Sequence, residues 1–503
     1  MTLDGDVDGD GVADVTLDGS GVTGQFSTLY INASNTTGRH LRVIGNGSGI
    51  PVFVQAPPGT AVAHVALIAI EANGPLQGFI PAIGLLANVQ GSQNASLSDI
   101  LVSNSQCNQG IGAGTGGDGG SGLGEVHRVT IVENVTTASE NGIVVSAFQI
   151  QKSMITQAIV ANNTIHDVNI GIIFQSGVGS VSTSDNTIDG IISGNVIFNA
   201  RLDGIGLTAG STIQGTATGN TIIAQISDNQ INASISQYGG IGILGGYGST
   251  ENANSVIAKN MVTTTIQGND IRESLSHGIS VSGGISNVGP ATQNYGTAVI
   301  QNNAISKSKY DAILAAGGWS ASESTTEVMI ANNTVTDSGN NGIEINGGTA
   351  RNLGSNHQGA SSNTAMGTVQ GNTVQTSTFS DIAVFGGFDN SAGAVTGNLA
   401  EQRIVSNDAR GATCQDGLPG NIARCTFANT ITAADTGTQR EERAITVQPA
   451  VMPLLNQLDE RITDFRTRAQ EAKTTESAAE LTRLAERLAE RKAEIMRRRQ
   501  EAR

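Results

Sequence analysis

Along most of the chain, short apolar runs alternate with polar bends in one recurring order. An asparagine opens a short strand, a polar bend follows, then a Gly-Ile strand and a Gly-Gly corner. Residues 333–348, NTVTDSGNNGIEINGG, show the order most plainly. It recurs from Asn163 (NTIHDVNIGIIF), Asn195 (NVIFNARLDGIGL), Asn229 (NQINASISQYGGIGILGG), Asn269 (NDIRESLSHGISVSGG), Asn303 (NAISKSKYDAILAAGG) and Asn372 (NTVQTSTFSDIAVFGG), with a weaker copy from Asn134 (NVTTASENGIVV). The marker asparagines from Asn134 to Asn372 fall at gaps of 29, 32, 34, 40, 34, 30 and 39 residues. Self-similarity at such a period is the mark of a solenoid, in which each repeat buries its apolar face against the next. Val and Ile runs bounded by Gly, Asn, Asp and Ser predict many short strands with tight turns. Alternation within a strand sends Ile and Val inward and polar residues outward. Parallel stacking places equivalent residues in columns about 4.8 Å apart. A column of turn asparagines can bond backbone groups above and below that the bends leave unpaired.

Before Asn134 the strands LYIN, HLRVIG, PVFVQ, AHVALIAIE and SLSDILVSN continue the pattern with a less regular period. Residues 110–124, GIGAGTGGDGGSGLG, read as a glycine loop thrown out from one turn. Taken together, residues 20–430 resemble the right-handed parallel β-helix proteins, the pectate lyase and polygalacturonase shape. The resemblance implies an all-β, right-handed parallel β-helix solenoid. It does not fix an activity, because one fold hosts many.

Residues 431–452 are polar and charged and read as a linker. From 453 to 503 Gly disappears, and Leu458, Ile462, Phe465, Ala469 and Ala472, then Leu481, Leu484, Leu488 and Ile495, follow heptad spacing. The phase slips near residues 473–477, so this α-helical tail is either a helical hairpin or one coiled-coil helix with a register break. It would serve homo-oligomer formation or fold back over the last turn of the solenoid.

Charge and length change the picture in a few ways. The formal net charge is −16 over 503 residues, and Lys and Arg concentrate in the tail, so the body is strongly acidic. That argues against nucleic acid, whose phosphates need basic patches. No apolar run is long enough to span a membrane. The acidic body suits an extracellular or cell-surface setting, although the start, MTLDGDVDG, shows no export signal. Cys414 and Cys425 flank a loop of a size suited to a disulfide, and Cys107 reads as a small buried hydrophobe.

The N-terminal segment 1–19 is distinct. Asp6, Asp8, Asp10 and Asp14 have the D-x-D-x-D-G-x-x-D spacing, which brings hard carboxylate oxygens to one point on a tight loop. The stretch resembles the calcium loops of FG-GAP, thrombospondin type 3 and dockerin proteins. The resemblance implies a structural Ca²⁺. Unlike an EF-hand, it has Leu17 at the twelfth position in place of a bidentate Glu.

Two columns are candidates for chemistry. Tyr247, Ile285, Trp319, Thr349 and Phe388 each follow a Gly-Gly corner, and all the long loops leave from that corner. Loops on one face of a solenoid are its usual binding surface, so Tyr247, Trp319 and Phe388 are candidates to hold sugar rings of a polysaccharide or cell-surface glycan. Alternatively, they pin each loop to the turn below. The second column precedes the Gly-Ile strand: Asp203, His277, Asp311, Asn341 and Asp381. Asp203, His277 and Asp311 are the candidates for acid–base work there. Polygalacturonases carry N-T-D, D-D, G-H-G and R-I-K on successive turns. Here Asp203 alone matches the first, Gly239-Gly240 stand in place of the carboxylate pair, Ser276-His277-Gly278 resembles the third, and Ile313-Leu314-Ala315 replaces the fourth. The D-P-H-D motif of alginate epimerases is absent. The leading expectation is therefore a non-catalytic, glycan-binding or adhesive β-helix. The alternatives are a polysaccharide lyase, epimerase or hydrolase, or a phage tailspike-like fibre.

Overall fold

The computed structural model describes residues 1–428 and 434–435, apart from residues 25, 75–79, 118–120, 138–139, 149, 180–181, 213–214, 233–238, 249–255, 287–290, 351–359, 390–394 and 410. The chain divides into two units, 1–443 and 444–503. The tail 453–503 and most of the expected linker lie outside the described residues.

The described residues form an all-β parallel solenoid, with no helix among them. One long sheet carries a paired motif on each turn. Thr221–Ser227 and Gln230–Asn232, for example, stack in register on Met261–Gln267 and Asp270–Arg272. A second sheet stacks Gly239–Leu244, Ile279–Ser282, Ile313–Ala316, Ile343–Asn346 and Ile382–Asp389. A third, small sheet is formed by Thr183–Ser184, Thr216–Thr218, Val256–Ala258 and Ala291–Thr292. The core between them is the inward-facing set, such as Ile266, Ile279, Ile300, Ile313, Ile330 and Ile343, all fully buried.

The corners explain why asparagine marks each repeat. Asn303 sits at the bend between two strands and is buried. Its Oδ1 accepts from the Asn269 backbone N–H at 3.0 Å and from Asn269 Nδ2 at 2.9 Å. Its Nδ2 donates to Ile266 O and to Asn333 Oδ1, at 3.0 and 2.9 Å. The pattern repeats from Asn134 through Asn163, Asn195, Asn229, Asn269 and Asn333 to Asn372 and Asn407. A second ladder runs through Asn186, Asn220, Asn260 and Asn294, then Asn363, Asn398 and Asn421, with Ser324 bridging the gap. The residue before each ladder position adopts a positive φ, as Asn302 does at 56°, which turns the chain.

Two expectations need correction. The described part of residues 110–124 is mostly strand rather than a loop. Ile111–Gly117 and Leu123–Val132 are strands of the two main sheets, in register with their neighbours on both sides. Glycine is required there because neighbouring backbone lies against it: a Cβ on Gly114 would collide with the Ser146 carbonyl. The column before the Gly-Ile strand also differs at its far end. Ile343 pairs with Ile382, so Ser380 rather than Asp381 is level with Asn341.

At the start, Thr2–Asp4 and Val15–Asp18 pair with the two halves of Thr36–Ile44, and the acidic loop projects between them. Near the other end, Cys414 and Cys425 form a disulfide joining strands of the two main sheets. Cys107 is buried, and burial pushes its thiol up to about 12. No helix among the described residues is long and apolar enough to cross a membrane.

Candidate active site

The second sheet turns its outward positions toward a cleft of about 590 Å³. The register fixes how the cleft is built. Leu314, Glu344 and Thr413 occupy outward positions on stacked strands and form its floor. Tyr310, Asn340 and Phe379 form one bank, since each follows the last by one turn. Trp319, Thr349, Phe385 and Gln415 form the other. The cleft therefore runs along the stacking direction, across several turns.

His277 and Asp311 close one end. They are level on adjacent turns, with His277 Nδ1 3.2 Å from Asp311 Oδ2. His277 is 6% exposed, and its Nδ1 has no aligned hydrogen-bond partner, so the contact with Asp311 is a close approach rather than a directed bond. Its ring lies edge-on to Trp319, with centroids 6.1 Å apart, and 5.6 Å from Tyr310. Ser274 Oγ donates to the His277 carbonyl at 2.6 Å, holding the turn. Gly278 follows because a Cβ there would press on Ile305, the Ala312 carbonyl and Ser308.

Glu344 was not singled out from the sequence. Its oxygens accept from Asn341 Nδ2 at 2.8 Å and from Asn346 Nδ2 at 3.4 Å. Burial pushes its carboxyl up to about 8, and the Asp311 charge beside it adds to the rise, against the opposing pull of the two amides. Asp311 in turn accepts from the Asn341 backbone N–H at 2.9 Å, so Asn341 braces both carboxyls. Two carboxyls in contact, one of which keeps its proton near neutrality, share that proton and can hand it to a bound group. One signal could have found it. In the strands ISVS, ILAA, IEIN and IAVF, the outward residue before the second apolar position is Ser280, Leu314, Glu344 and Ala383, and only Glu344 is ionisable.

Asp203 stands apart from this cleft. It pairs with Gly239, one turn before His277, which places it two turns from His277. At about 4.8 Å per turn that is roughly 10 Å. Tyr247, Ile285, Trp319, Thr349 and Phe388 do form one column. Trp319 is buried in a cluster with Ile285, Leu314 and Leu244, and Tyr247 packs on its edge, so both fasten the corner to the sheet. The side chain of Phe388, and most of the long loops that follow this corner, lie outside the described residues.

Far from the cleft, Asp6, Asp8 and Asp14 bring carboxylate oxygens within 4.8 Å of one another. Asp6 also accepts backbone N–H groups of Gly9 and Gly11, and Asp14 that of Val7. Asp10 is not in that group, and its Oδ1 accepts from the Val12 N–H at 2.8 Å.

No family model matches the chain, and no curated protein matches it. Among solved structures, the chain is similar to two Azotobacter vinelandii modules. The AlgE6 mannuronan C-5 epimerase A-module is 12% identical at a TM-score of 0.32, over 82% of this chain and 89% of that one. The AlgE4 mannuronan C-5 epimerase A-module is 11% identical at 0.28, over 84% of this chain and 100% of that one. Likeness at this level leaves the chemistry of this chain to its own residues.

Proposed function

We propose that the chain is a polysaccharide-processing enzyme, a glycoside hydrolase with Glu344 as acid and with Asp311 beside it keeping the proton on that carboxyl. The observation that carries this reading is the carboxyl pair in an open cleft, with Glu344 held up at about 8 by burial and by its neighbour's charge. Hydrolysis of a glycosidic bond needs a group that still has its proton beside the leaving oxygen. Glu344 gives its proton to the leaving oxygen. Asp311, in contact with Glu344, takes a proton back onto the pair from solvent after each turnover, and the attacking water releases its own proton to the solvent of the open cleft. The lengthwise cleft suits a chain substrate, which would lie across several turns.

The test is incubation of the full chain with polysaccharides while new reducing ends are measured. Glu344→Gln and Asp311→Asn are each expected to lower the rate by ~10²–10⁴-fold. Products with unsaturated ends, which absorb in the ultraviolet, would point to a lyase instead.

A second reading is favoured by the exposed rings of Phe379 and Tyr310 on the bank. There the cleft binds a glycan without cutting it, as an adhesive or scaffold surface. Glycan binding with no product from the wild type selects that reading. In either case the protein works outside the cell or at its surface, with Ca²⁺ held by Asp6, Asp8 and Asp14 in a structural role. Three carboxylates on a turn-rich loop are a hard-oxygen donor set that fits this ion. A mass measurement with and without residues 450–503 tests self-association through the tail.

A further inference from the structure

We infer that the glycan taken by this cleft is uncharged and is held by stacking on Phe379 and Tyr310. The inference rests on the hydrolase reading of the same cleft and names its substrate class.

Phe379 is 74% exposed, at the tip of the polar bend TSTFSD, and it lines the cleft. A large ring left mostly in water packs little of its surface against the fold, and an apolar ring face lining a cleft beside polar groups is a surface for the C–H face of a sugar. Tyr310, 39% exposed, lies on the same bank. Asn340 stands between them, its N–H directed to Tyr310 O at 3.3 Å and its own carbonyl accepting from Phe379 N–H at 3.1 Å. The two rings are thus two turns apart, roughly 9.6 Å along the stack, with an amide midway. Ring, amide, ring is a row that reads apolar faces and hydroxyls, not charge.

The electrostatics of the floor point the same way. Glu344 already keeps its proton because it is buried and because Asp311 is beside it. A sugar carboxylate brought into the cleft would be a further like charge in the same low-dielectric space. Among the described residues lining the cleft there is no lysine or arginine to offset it. Lys309, the neighbour of Tyr310, has its Nζ 5.6 Å from the Tyr310 ring centroid and is not among the lining residues. A neutral substrate agrees with the hydrolase reading on which the inference rests. β-Elimination and C5 epimerisation both remove a proton next to a sugar carboxylate, so a sugar without that carboxylate leaves hydrolysis as the chemistry.

The experiment is calorimetric titration of full-length Glu344→Gln with neutral oligosaccharides (β-glucan, galactan, mannan and xylan series) and with oligogalacturonate and oligomannuronate. Asp311→Asn takes its place if the first variant does not fold. Binding of a neutral series is expected. It should weaken ~10-fold in a Phe379→Ala background, and it should be insensitive to Lys309→Ala and to added salt. Binding confined to the uronates, or binding of neutral sugars that Phe379→Ala leaves intact, overturns the inference. The two proposals fail separately. Neutral binding with no reducing ends from the wild type removes the hydrolase and keeps the neutral ligand. Hydrolysis of a uronate chain does the reverse.

Discussion

Replacing Asn303 with alanine is expected to destabilise the solenoid by about 4 kcal/mol, a figure that follows from the groups it leaves behind. The asparagine makes four hydrogen bonds, two through Oδ1 to Asn269 and two through Nδ2 to Ile266 O and Asn333 Oδ1. Some partners keep alternatives: Asn269 Nδ2 still reaches Ile226 O and Gln267 O, and Asn333 Oδ1 still accepts from the residue 303 backbone N–H. The Asn269 N–H and the Ile266 carbonyl lose their side-chain partner in a buried corner. A buried polar group left unpaired costs about 1–3 kcal/mol, so two cost roughly 2–6, with 4 as the centre. Outward-facing Thr297→Ala on the same turn is the control, expected within about 0.5 kcal/mol. Two readouts apply. Chemical denaturation of the full chain gives the loss in stability. Amide hydrogen exchange gives its location: the Asn269 N–H should exchange about 10³-fold faster, since 4 kcal/mol is about three decades. A loss below about 1 kcal/mol with unchanged Asn269 protection would refute the role given to the ladder. The same turn carries Tyr310 and Asp311, so a true loosening should also weaken glycan binding.

Three further outcomes are expected. Glu344 has a folded-state carboxyl raised from 4.5 to about 8. Its contribution is therefore fully present below about 4.5 and is lost as pH rises toward 8, because the folded state holds a proton that the unfolded chain has released. Melting temperature should fall across that window in the wild type, and the fall should be shallower in Glu344→Gln. Reducing the Cys414–Cys425 disulfide, which spans a sequence separation of 11, should lower stability by roughly 3 kcal/mol. Ca²⁺ in large excess over its dissociation constant should raise stability by about 2.7 kcal/mol at a hundredfold excess, an effect that Asp8→Asn should abolish.

How much of this could be read from the chain differs by element. The repeat was legible because Asn, Ile and Gly-Gly recur at positions where only a few residue types serve. Asparagine can bond both along the chain and across turns, and inward positions need aliphatic bulk. The second ladder, through Asn260 and Asn294, was hidden because its spacing is interrupted by Ser324 and its flanking loops vary in length. Residues 110–124 misled because glycine signals a loop by itself, whereas here it lets neighbouring backbone come close. Of the cleft, His277 and Asp311 could be found by column. Glu344 could not be found by comparing bends, because it lies inside a strand, and its chemistry comes from burial and from the residue one turn below. Phe379 sits in a polar bend with nothing in the sequence to set it apart, and only the register places it on a bank.

The central claim is that Glu344 supplies the proton for bond cleavage. The most direct measurement compares Glu344→Gln with the wild type on two substrates of the same sugar: the polysaccharide, and an aryl glycoside whose leaving group departs without a proton. If Glu344 is the acid, kcat on the polysaccharide falls by ~10³-fold while kcat on the aryl glycoside stays within about tenfold of the wild type. Equal losses on both substrates, or full activity of the variant on the polysaccharide, would contradict the account.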